Sequence, residues 1–230
     1  MATQFILFIA IAYLVGALPL SYLAARLVRG IDLRQYGTRQ VGTGNLLRVT
    51  RSWKSGVIIG AWDFGKGIFV VWLADKAGLG TAGVILAGLA VIIGHNWPVF
   101  LRFRGGRGIL TATGLLVATP LSDRQGYWVP LTFLAVGVGL LIFFRSTPVP
   151  VLSGLAAVPL VGWLTHQQLM LTYGALALFL IVVAKRLVPG QPATEGVRAG
   201  ELFVNRFFFD RDVKDKKAWL IGAGGERKRQ

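Results

Sequence analysis

The stretch "FILFIAIAYLVGALPLSYLAA", residues 5–25, decides the fold class of this chain. It contains no charged residue, and as a helix it is long enough to cross a hydrocarbon core of about 30 Å. A secretory signal peptide is the competing interpretation. However, no basic region precedes the apolar run, and the run is too long for a signal peptide. The stretch therefore predicts an uncleaved first transmembrane helix.

Further apolar runs follow without a soluble domain between them, at 56–75, 80–101, 109–119, 128–144, 149–165 and 168–184. The third of these is short for a full crossing and fits a half-crossing or a tilted helix. The chain is 54% hydrophobic and its mean hydropathy is +0.60, both above the values of ordinary soluble domains. We predict an all-α, polytopic membrane protein with five to seven transmembrane helices, seven being the preferred number.

The positive charge of the chain, a net +15, is concentrated in the gaps between the apolar runs. Seven Lys and Arg lie in 26–54, three in 102–107, one at Arg145 and eleven after 184. These 22 of the 25 basic residues would share one side of the membrane, which is the positive-inside pattern. The pattern predicts an external N-terminus and a cytoplasmic C-terminus. Nucleic-acid binding ranks last, because the basic residues follow a membrane face.

The last part of the chain, residues 189–230, differs from the apolar part before it. We predict a membrane-embedded domain at 1–188 followed by a basic cytoplasmic tail. Within the tail, "ELFVNRFFFDRDVKDKKAWLI", residues 201–221, mixes aromatic and basic residues and predicts a short interfacial helix. The final "GGERKRQ" predicts a disordered end that is attracted to anionic lipid.

Two polar clusters precede the third apolar helix. The loop "DLRQYGTRQVGTGNLLRVTRSWK", 32–54, combines glycines with arginines, a composition that forms anion-binding turns but also fits a plain positive-inside loop. "DFGKG", 63–67, places Asp63 and Lys66 at i, i+3 on one helix face, where they can pair. The pair is either a structural ion pair or one that holds a phosphate-binding loop, and the spacing does not decide between these.

A third cluster is "GHNWPVFLRFRGGRG", residues 94–108. Guanidinium groups on both sides of two glycines suit a compact anion with several oxygens, and the residues concerned are Arg102, Arg104, Gly105, Gly106 and Arg107. No metal site is predicted, because His95 has no carboxylate or histidine near it in sequence. A lone histidine at a helix end is otherwise structural.

A fourth cluster is "RSTPVPVLSG", 145–154, where Ser153 follows a proline-rich turn. The usual explanation for such a serine is a bond to its own helix backbone. Common catalytic motifs are absent, including the G-x-S-x-G elbow and the GxxxxGK[ST] loop.

The first three clusters resemble the motifs of the bacterial membrane family of acyl-phosphate:glycerol-3-phosphate acyltransferases. In that family the motifs have the forms G-S-G-N-x-G-A-T-N-x-x-R, D-x-x-K-G and G-H-x-x-P-x-F-x-x-F-K-G-G-K-G. Here they correspond to "GTRQVGTGNLLR", 37–48, "DFGKG", 63–67, and "GHNWPVFLRFRGGRG", 94–108, with arginine for both lysines of the third. Their order and spacing also agree, and the resemblance covers about residues 1–188.

The resemblance implies transfer of a fatty acyl group from acyl phosphate to the 1-hydroxyl of glycerol 3-phosphate, giving lysophosphatidate and phosphate. It also implies a multi-pass protein of the bacterial plasma membrane, with a cytoplasmic active site and no cofactor or metal. The expected partners are the two small-molecule substrates and membrane lipid. The implied roles are catalysis for His95 and Lys185; glycerol-phosphate binding for Thr38, Arg48, Arg107 and Ser153; acyl-phosphate binding for Gly42, Asn45, Arg104, Gly105 and Gly106; and support for Asp63 and Lys66.

The chain departs from the family at the end of the last helix, where the family has an H-R-E-N segment. This chain has "AKRLV", 184–188, with Lys185 at the histidine's place and Val188 at the asparagine's. Three explanations stay open. Lys185 substitutes, or Asn205 and Arg206 of the tail fold back to the site, or the activity has changed.

Two other functions are compatible with the residues. An anion transporter or channel would also use a basic intramembrane vestibule, but the chain is short and shows no repeated halves. A catalytically silent or acceptor-shifted relative that binds lipid phosphate is compatible with the missing histidine and asparagine.

Overall fold

The computed structural model describes residues 2–144, 146–188 and 193–222, which form eleven α-helices and no β-strand. The helices are α1 (Ala2–Ala17), α2 (Leu20–Arg29), α3 (Thr43–Thr50), α4 (Trp53–Lys76), α5 (Gly80–Asn96), α6 (Ile109–Ser122), α7 (Trp128–Phe143), α8 (Pro148–Leu164), α9 (Leu169–Leu187), α10 (Ala199–Phe209) and α11 (Lys216–Gly222). The all-α class predicted from the sequence is confirmed.

The first apolar run lies in one candidate membrane span, Ala2–Arg29, whose helix is interrupted at Leu18 and Pro19. Proline has no N–H to donate and disfavours helical geometry in the residue before it. The interruption lines a small cavity of about 10 Å³ beside Asp63 and His95, enough for roughly one water. Non-helical backbone in a membrane protein is tolerated where it lines such a cavity.

Within the described residues, four helical stretches are long and apolar enough to cross a membrane: Ala2–Arg29, Trp53–Lys76, Gly80–Leu101 and Leu169–Leu187. The other apolar helices, α6, α7 and α8, have 14, 16 and 17 residues. At 1.5 Å per residue they span about 21–26 Å, less than the hydrocarbon core. The predicted shortness of the run at 109–119 is thus confirmed, whereas the count of seven spans stays a prediction.

Glycines bring the helices into close contact. α1 packs on α5, α4 packs on α6, and α7 packs on α8. A Cβ atom at Gly94 would overlap the carbonyl of Tyr13, and one at Gly114 would overlap the carbonyl of Phe64. Small residues that allow such backbone approach are the usual basis of helix packing in lipid. This packing fixes α4 and α5, which carry Asp63, Lys66 and His95.

The tail contains two helices, α10 and α11, instead of the single interfacial helix that was predicted. α10 packs against α8 and α9, while Phe203, Val204 and Phe208 on its other side are exposed. The predicted disorder of 224–230 falls outside the described residues, as do Arg145 and the first part of the linker, 189–192.

Candidate active site

A chain of three buried polar groups joins α4 to the end of α5. Lys66 Nζ donates to Asp63 Oδ1 at 2.9 Å, so the pairing predicted from the i, i+3 spacing is confirmed. The same Nζ lies 2.7 Å from His95 Nδ1 and 3.4 Å from the carbonyl oxygen of Gly16 on α1. The second carboxylate oxygen of Asp63 accepts from the Thr43 hydroxyl at 3.1 Å. The Asp63–Lys66 pair therefore connects α1, α3, α4 and α5.

The same His95 Nδ1 lies 3.5 Å from Asp63 Oδ1 and 2.7 Å from Lys66 Nζ. A lysine ammonium has only donors, so with Lys66 charged we assign Nδ1 as the acceptor and the ring proton to Nε2. His95 Nε2 faces the glycine loop, because a Cβ atom at Gly106 would overlap it. The Gly106 N–H donates to the His95 carbonyl at 3.1 Å. This amide, predicted to bind acyl phosphate, is thus engaged within the protein, whereas the Gly105 N–H has no partner among the described residues.

Asn45 holds the first loop together. Its side chain is 4% exposed, accepts from the Thr38 N–H at 2.8 Å and donates to the carbonyls of Leu33, Tyr36 and Gln40 at 3.0–3.3 Å. Asn45 was predicted to bind acyl phosphate. That role stays a prediction; in the structure both polar atoms of its side chain bond the loop backbone.

Replacing Asn45 with alanine is expected to lower the free energy of unfolding by about 2–3 kcal/mol, since it leaves buried backbone groups without partners. The measurement is thermal unfolding of the purified protein in lipid. Gln35→Ala is the control, because Gln35 is exposed in the same loop. Equal midpoints for the two variants would contradict the scaffolding role.

The other predicted contacts of glycerol phosphate are accessible. Thr38, whose N–H bonds Asn45, has a hydroxyl without a partner among the described residues, and Arg48 is exposed at the end of α3. Ser153 is half-buried on α8 and makes no bond to its own helix, unlike Thr113, whose hydroxyl donates to the Ile109 carbonyl at 2.9 Å. The usual structural explanation for Ser153 therefore does not hold. Gly42 precedes the first residue of α3.

Arg104 lies away from His95, at the edge of an open hollow of about 620 Å³. Its neighbours there include Arg34, Arg102, Tyr22 and Phe100. Arg34 is paired with Asp32 at 2.7 Å. Hydrogen bonds from Arg34 hold the pKa of Asp32 below its usual value, although partial burial opposes this. The hollow therefore keeps a net positive charge.

Arg107 reaches the tail. Its Nε lies 2.5 Å from Asp210 Oδ1, and its Nη2 donates to the Asp210 carbonyl at 2.8 Å. Lys185 is fully buried, with its Nζ 5.3 Å from the centre of the Trp97 ring and without a hydrogen-bond partner among the described residues. Lys185 is close enough to interact electrostatically with both His95 and Arg107.

The neighbouring Arg186 donates to the Phe207 and Pro148 carbonyls at 3.1 and 2.9 Å. We call Arg107, Lys185 and Arg186 the cationic cluster. It lies where α5 and α9 end and where α6 and α8 begin. Sequence reasoning missed Arg186, although its position beside Lys185 at the end of a long apolar helix was a usable signal.

The tail folds back as one of the open explanations stated, but not with the residues named there. Asn205 Nδ2 donates to the Asp212 carbonyl at 3.1 Å, and Arg206 bonds the Leu187 carbonyl and the Asp212 carboxylate. Both residues thus stabilise the tail itself. Asp210, which the sequence analysis did not single out, is the tail residue that meets Arg107.

The helix bundle defines an integral membrane protein, and its cationic cluster lies at one end of the helices. Comparison with known proteins makes this specific. The glycerol-3-phosphate acyltransferase family profile matches residues 6–187. Glycerol-3-phosphate acyltransferase 4 of Dehalococcoides mccartyi (strain CBDB1) is 37% identical over 228 residues, covering 96% of this chain and 94% of the relative. The enzyme of Gloeobacter violaceus is 38% identical over 168 residues, covering 71% and 78%.

A solved structure shares the fold. It is a crystal structure of PlsY (YgiH), an integral membrane glycerol 3-phosphate acyltransferase, in its glycerol 3-phosphate form. The TM-score is 0.66 with 26% identity, over 81% of this chain and 93% of that chain. This chain therefore belongs to the glycerol-3-phosphate acyltransferase family, as its motifs predicted, and is a multi-pass membrane acyltransferase.

Proposed function

We propose that this enzyme transfers a fatty acyl group from acyl phosphate to the 1-hydroxyl of glycerol 3-phosphate, releasing lysophosphatidate and phosphate. The observation that carries the proposal is the cationic cluster. It has three positive groups, Asp210 is the carboxylate paired with it, and the Lys185 ammonium is buried without a hydrogen-bond partner among the described residues. A buried cation of this kind requires an anion, and both substrates are phosphate anions.

The acyl transfer requires positioning and charge neutralisation of the two substrates, and it needs no covalent enzyme intermediate. The hydroxyl oxygen of the acceptor forms a bond to the carbonyl carbon of the donor, and the bond from that carbon to the phosphate oxygen breaks. Phosphate is a good leaving group, so aligning two anions beside fixed cations supplies the main acceleration. In this proposal Arg107 and Lys185 hold phosphate oxygens, and the Gly105 N–H donates to the donor.

The proton of the attacking hydroxyl passes to the departing phosphate in this proposal. The assignment of His95 supports this step: with Lys66 charged, its Nδ1 accepts from Lys66 and its Nε2 carries the proton. In this state the ring offers a donor to the site and has no free acceptor for a proton. His95 then acts by donating a hydrogen bond, and Lys66 holds the ring in place.

We further propose that residues 1–188 form the membrane-embedded domain, that 189–230 form a cytoplasmic tail, and that the site opens to the cytoplasm at the plasma membrane. The support is the charge pattern. The loops that carry most of the basic residues join the same helix ends as the cationic cluster, as the positive-inside rule requires of a cytoplasmic face.

The donor is tested with the purified protein in lipid and labelled glycerol 3-phosphate, supplied with either acyl phosphate or acyl-coenzyme A. We expect labelled lysophosphatidate from acyl phosphate, with one phosphate released per product. Product from acyl-coenzyme A alone would assign a different donor. Absence of product from both, with glycerol 3-phosphate still bound, would identify a silent or acceptor-shifted relative.

A further inference from the structure

The contact between Asp210 and Arg107 joins residues 103 positions apart and brings the tail to the site. Both side chains are largely shielded, at 14% and 16% exposure. The two atoms of Asp210 involved are one carboxylate oxygen and the backbone carbonyl oxygen. A long arginine side chain next to two glycines has little else to fix its direction. Among the described residues, Asp210 supplies the ion pair and the hydrogen bond to the Arg107 guanidinium.

The way in which Asp210 binds the guanidinium decides what this contact does. The carboxylate lies beside Nε as an ion pair that lacks hydrogen-bond geometry, and the backbone carbonyl accepts from Nη2; these two nitrogens form one edge of the planar group. An arginine has five N–H donors in a fixed arrangement, so the other edge, made by Nη1 and the second hydrogen of Nη2, stays available. That edge can bind two oxygens of a phosphate side by side. Asp210 thus orients Arg107 without occupying its phosphate-binding edge.

Hydrogen bonds within the tail hold Asp210 in this place. Arg206 ties α10 to the end of α9 by donating to the Leu187 carbonyl at 2.9 Å, and it pairs with Asp212 at 2.7 Å. Asp212 also accepts from the N–H and the hydroxyl of Thr194. Burial opposes ionisation of Asp212, but the bonds from Arg206 and Thr194 keep its pKa below the usual value. These bonds close the segment 194–212 into one unit.

The backbone of Asp210 adds to this geometry. Asp210 ends α10 in the left-handed conformation, with φ of 60°, and its N–H donates to the Arg206 carbonyl. Aspartate tolerates this conformation better than most residues. The position therefore accepts asparagine or glycine without rearrangement of the backbone.

The charges around Asp210 are also compatible with a role in orienting the Arg107 guanidinium. Arg107, Lys185 and Arg186 carry three formal positive charges, and Asp210 contributes one negative charge. Burial raises the pKa of Asp210, while the charges of Arg107 and Arg186 oppose that rise. With Asp210 ionised, the cluster keeps an excess of two positive charges, which matches a phosphate dianion.

We propose that Asp210 is a positioning residue of this enzyme: it fixes the Arg107 guanidinium so that its free edge binds the phosphate of glycerol 3-phosphate. The proposal rests on the proposed function for the identity of that phosphate. It assigns the tail helix α10 a part in substrate binding, although α10 lies beyond the residues 6–187 that match the family.

The test compares Asp210→Asn and Asp210→Gly with the native protein in lipid. Both residues tolerate the left-handed backbone, so both variants are expected to fold. We expect the KM for glycerol 3-phosphate to rise about 5–10-fold, and more in the glycine variant, while kcat changes less than about 3-fold. Glu201→Gln is the matched control, because it removes the same charge from an exposed position of α10.

The proposal requires that the effect of Asp210→Asn on KM acts through Arg107. In an Arg107→Lys background, which lacks the planar edge that Asp210 binds, Asp210→Asn is expected to change KM less than about 2-fold. A change that persists in that background would show a general structural role and overturn the proposal. A KM that falls would make Asp210 a competitor of the substrate, and an unchanged KM would equally overturn the proposal.

Binding of inorganic phosphate separates this proposal from the proposed function. Calorimetric titration of the native protein and of Asp210→Asn is expected to show weaker phosphate binding in the variant, by a factor similar to the KM change. If the native protein transfers no acyl group, the proposed function fails. The role of Asp210 is then tested by phosphate binding alone, measured in the native and the Arg107→Lys backgrounds.

Discussion

Replacing Lys66 with methionine is expected to destabilise the protein by about 3–5 kcal/mol, because it leaves the Asp63 carboxylate buried without its cation. Lys66 Nζ is the atom that joins Asp63, His95 and the carbonyl of Gly16. Methionine keeps the length of the side chain and removes the charge. The measurement is the thermal midpoint in lipid together with the initial rate of acyl transfer. Lys76→Met is the control, since Lys76 is exposed at the end of the same helix.

A double variant, Asp63→Asn with Lys66→Met, separates stability from function. Removing both charges of a buried pair costs much less than removing one, so the double variant is expected to regain most of the lost stability. Its rate is expected to stay about 10–100-fold below that of the native enzyme, because His95 has lost the donor that orients its ring. A double variant with full activity would show that the ion pair is only structural.

Replacing Arg107 with alanine is expected to lower kcat/KM by about 100–1000-fold, because a charged double hydrogen-bond donor to phosphate is lost. Arg107→Lys keeps the charge but loses the planar edge, so about a tenfold loss is expected. The measurement is acyl transfer at varied glycerol 3-phosphate. Arg198→Ala is the control, because Arg198 is exposed and precedes α10.

The loss of kcat/KM in both Arg107 variants must clearly exceed that in the Arg198→Ala control. A loss of less than about tenfold in Arg107→Ala would remove Arg107 from the site. Equal losses in Arg107→Ala and Arg107→Lys would show that the planar group, more than the charge, carries the interaction.

The features that the sequence predicted well depend on short-range patterns. Charge-free runs of about 20 residues predict helices in a membrane whatever their packing, and the spacing of Asp63 and Lys66 places both on one face of α4. Each of these features is decided within one or two helical turns.

The features that the sequence did not predict depend on contacts between distant segments. Lys66 and His95 are 29 residues apart and meet because α4 packs on α5. Asn45 matched a family motif, but its role as a loop scaffold follows from burial among Leu33, Tyr36 and Gln40. The helix break at Pro19 could have been predicted from the sequence, since proline interrupts helices. Hydrophobicity alone indicated a continuous span.

The partner of Arg107 was the hardest feature to predict. The tail was expected to return to the site through Asn205 or Arg206 if it returned at all. Any of several tail residues was chemically suitable, and only the packing of α10 on α8 and α9 selects Asp210.

The most direct measurement is phosphate release by the purified native protein in lipid, with acyl phosphate, in the presence and absence of glycerol 3-phosphate. We predict release that depends on the acceptor, matches lysophosphatidate formation and is lost in Arg107→Ala. Release that is independent of glycerol 3-phosphate, or that persists in Arg107→Ala, would contradict it.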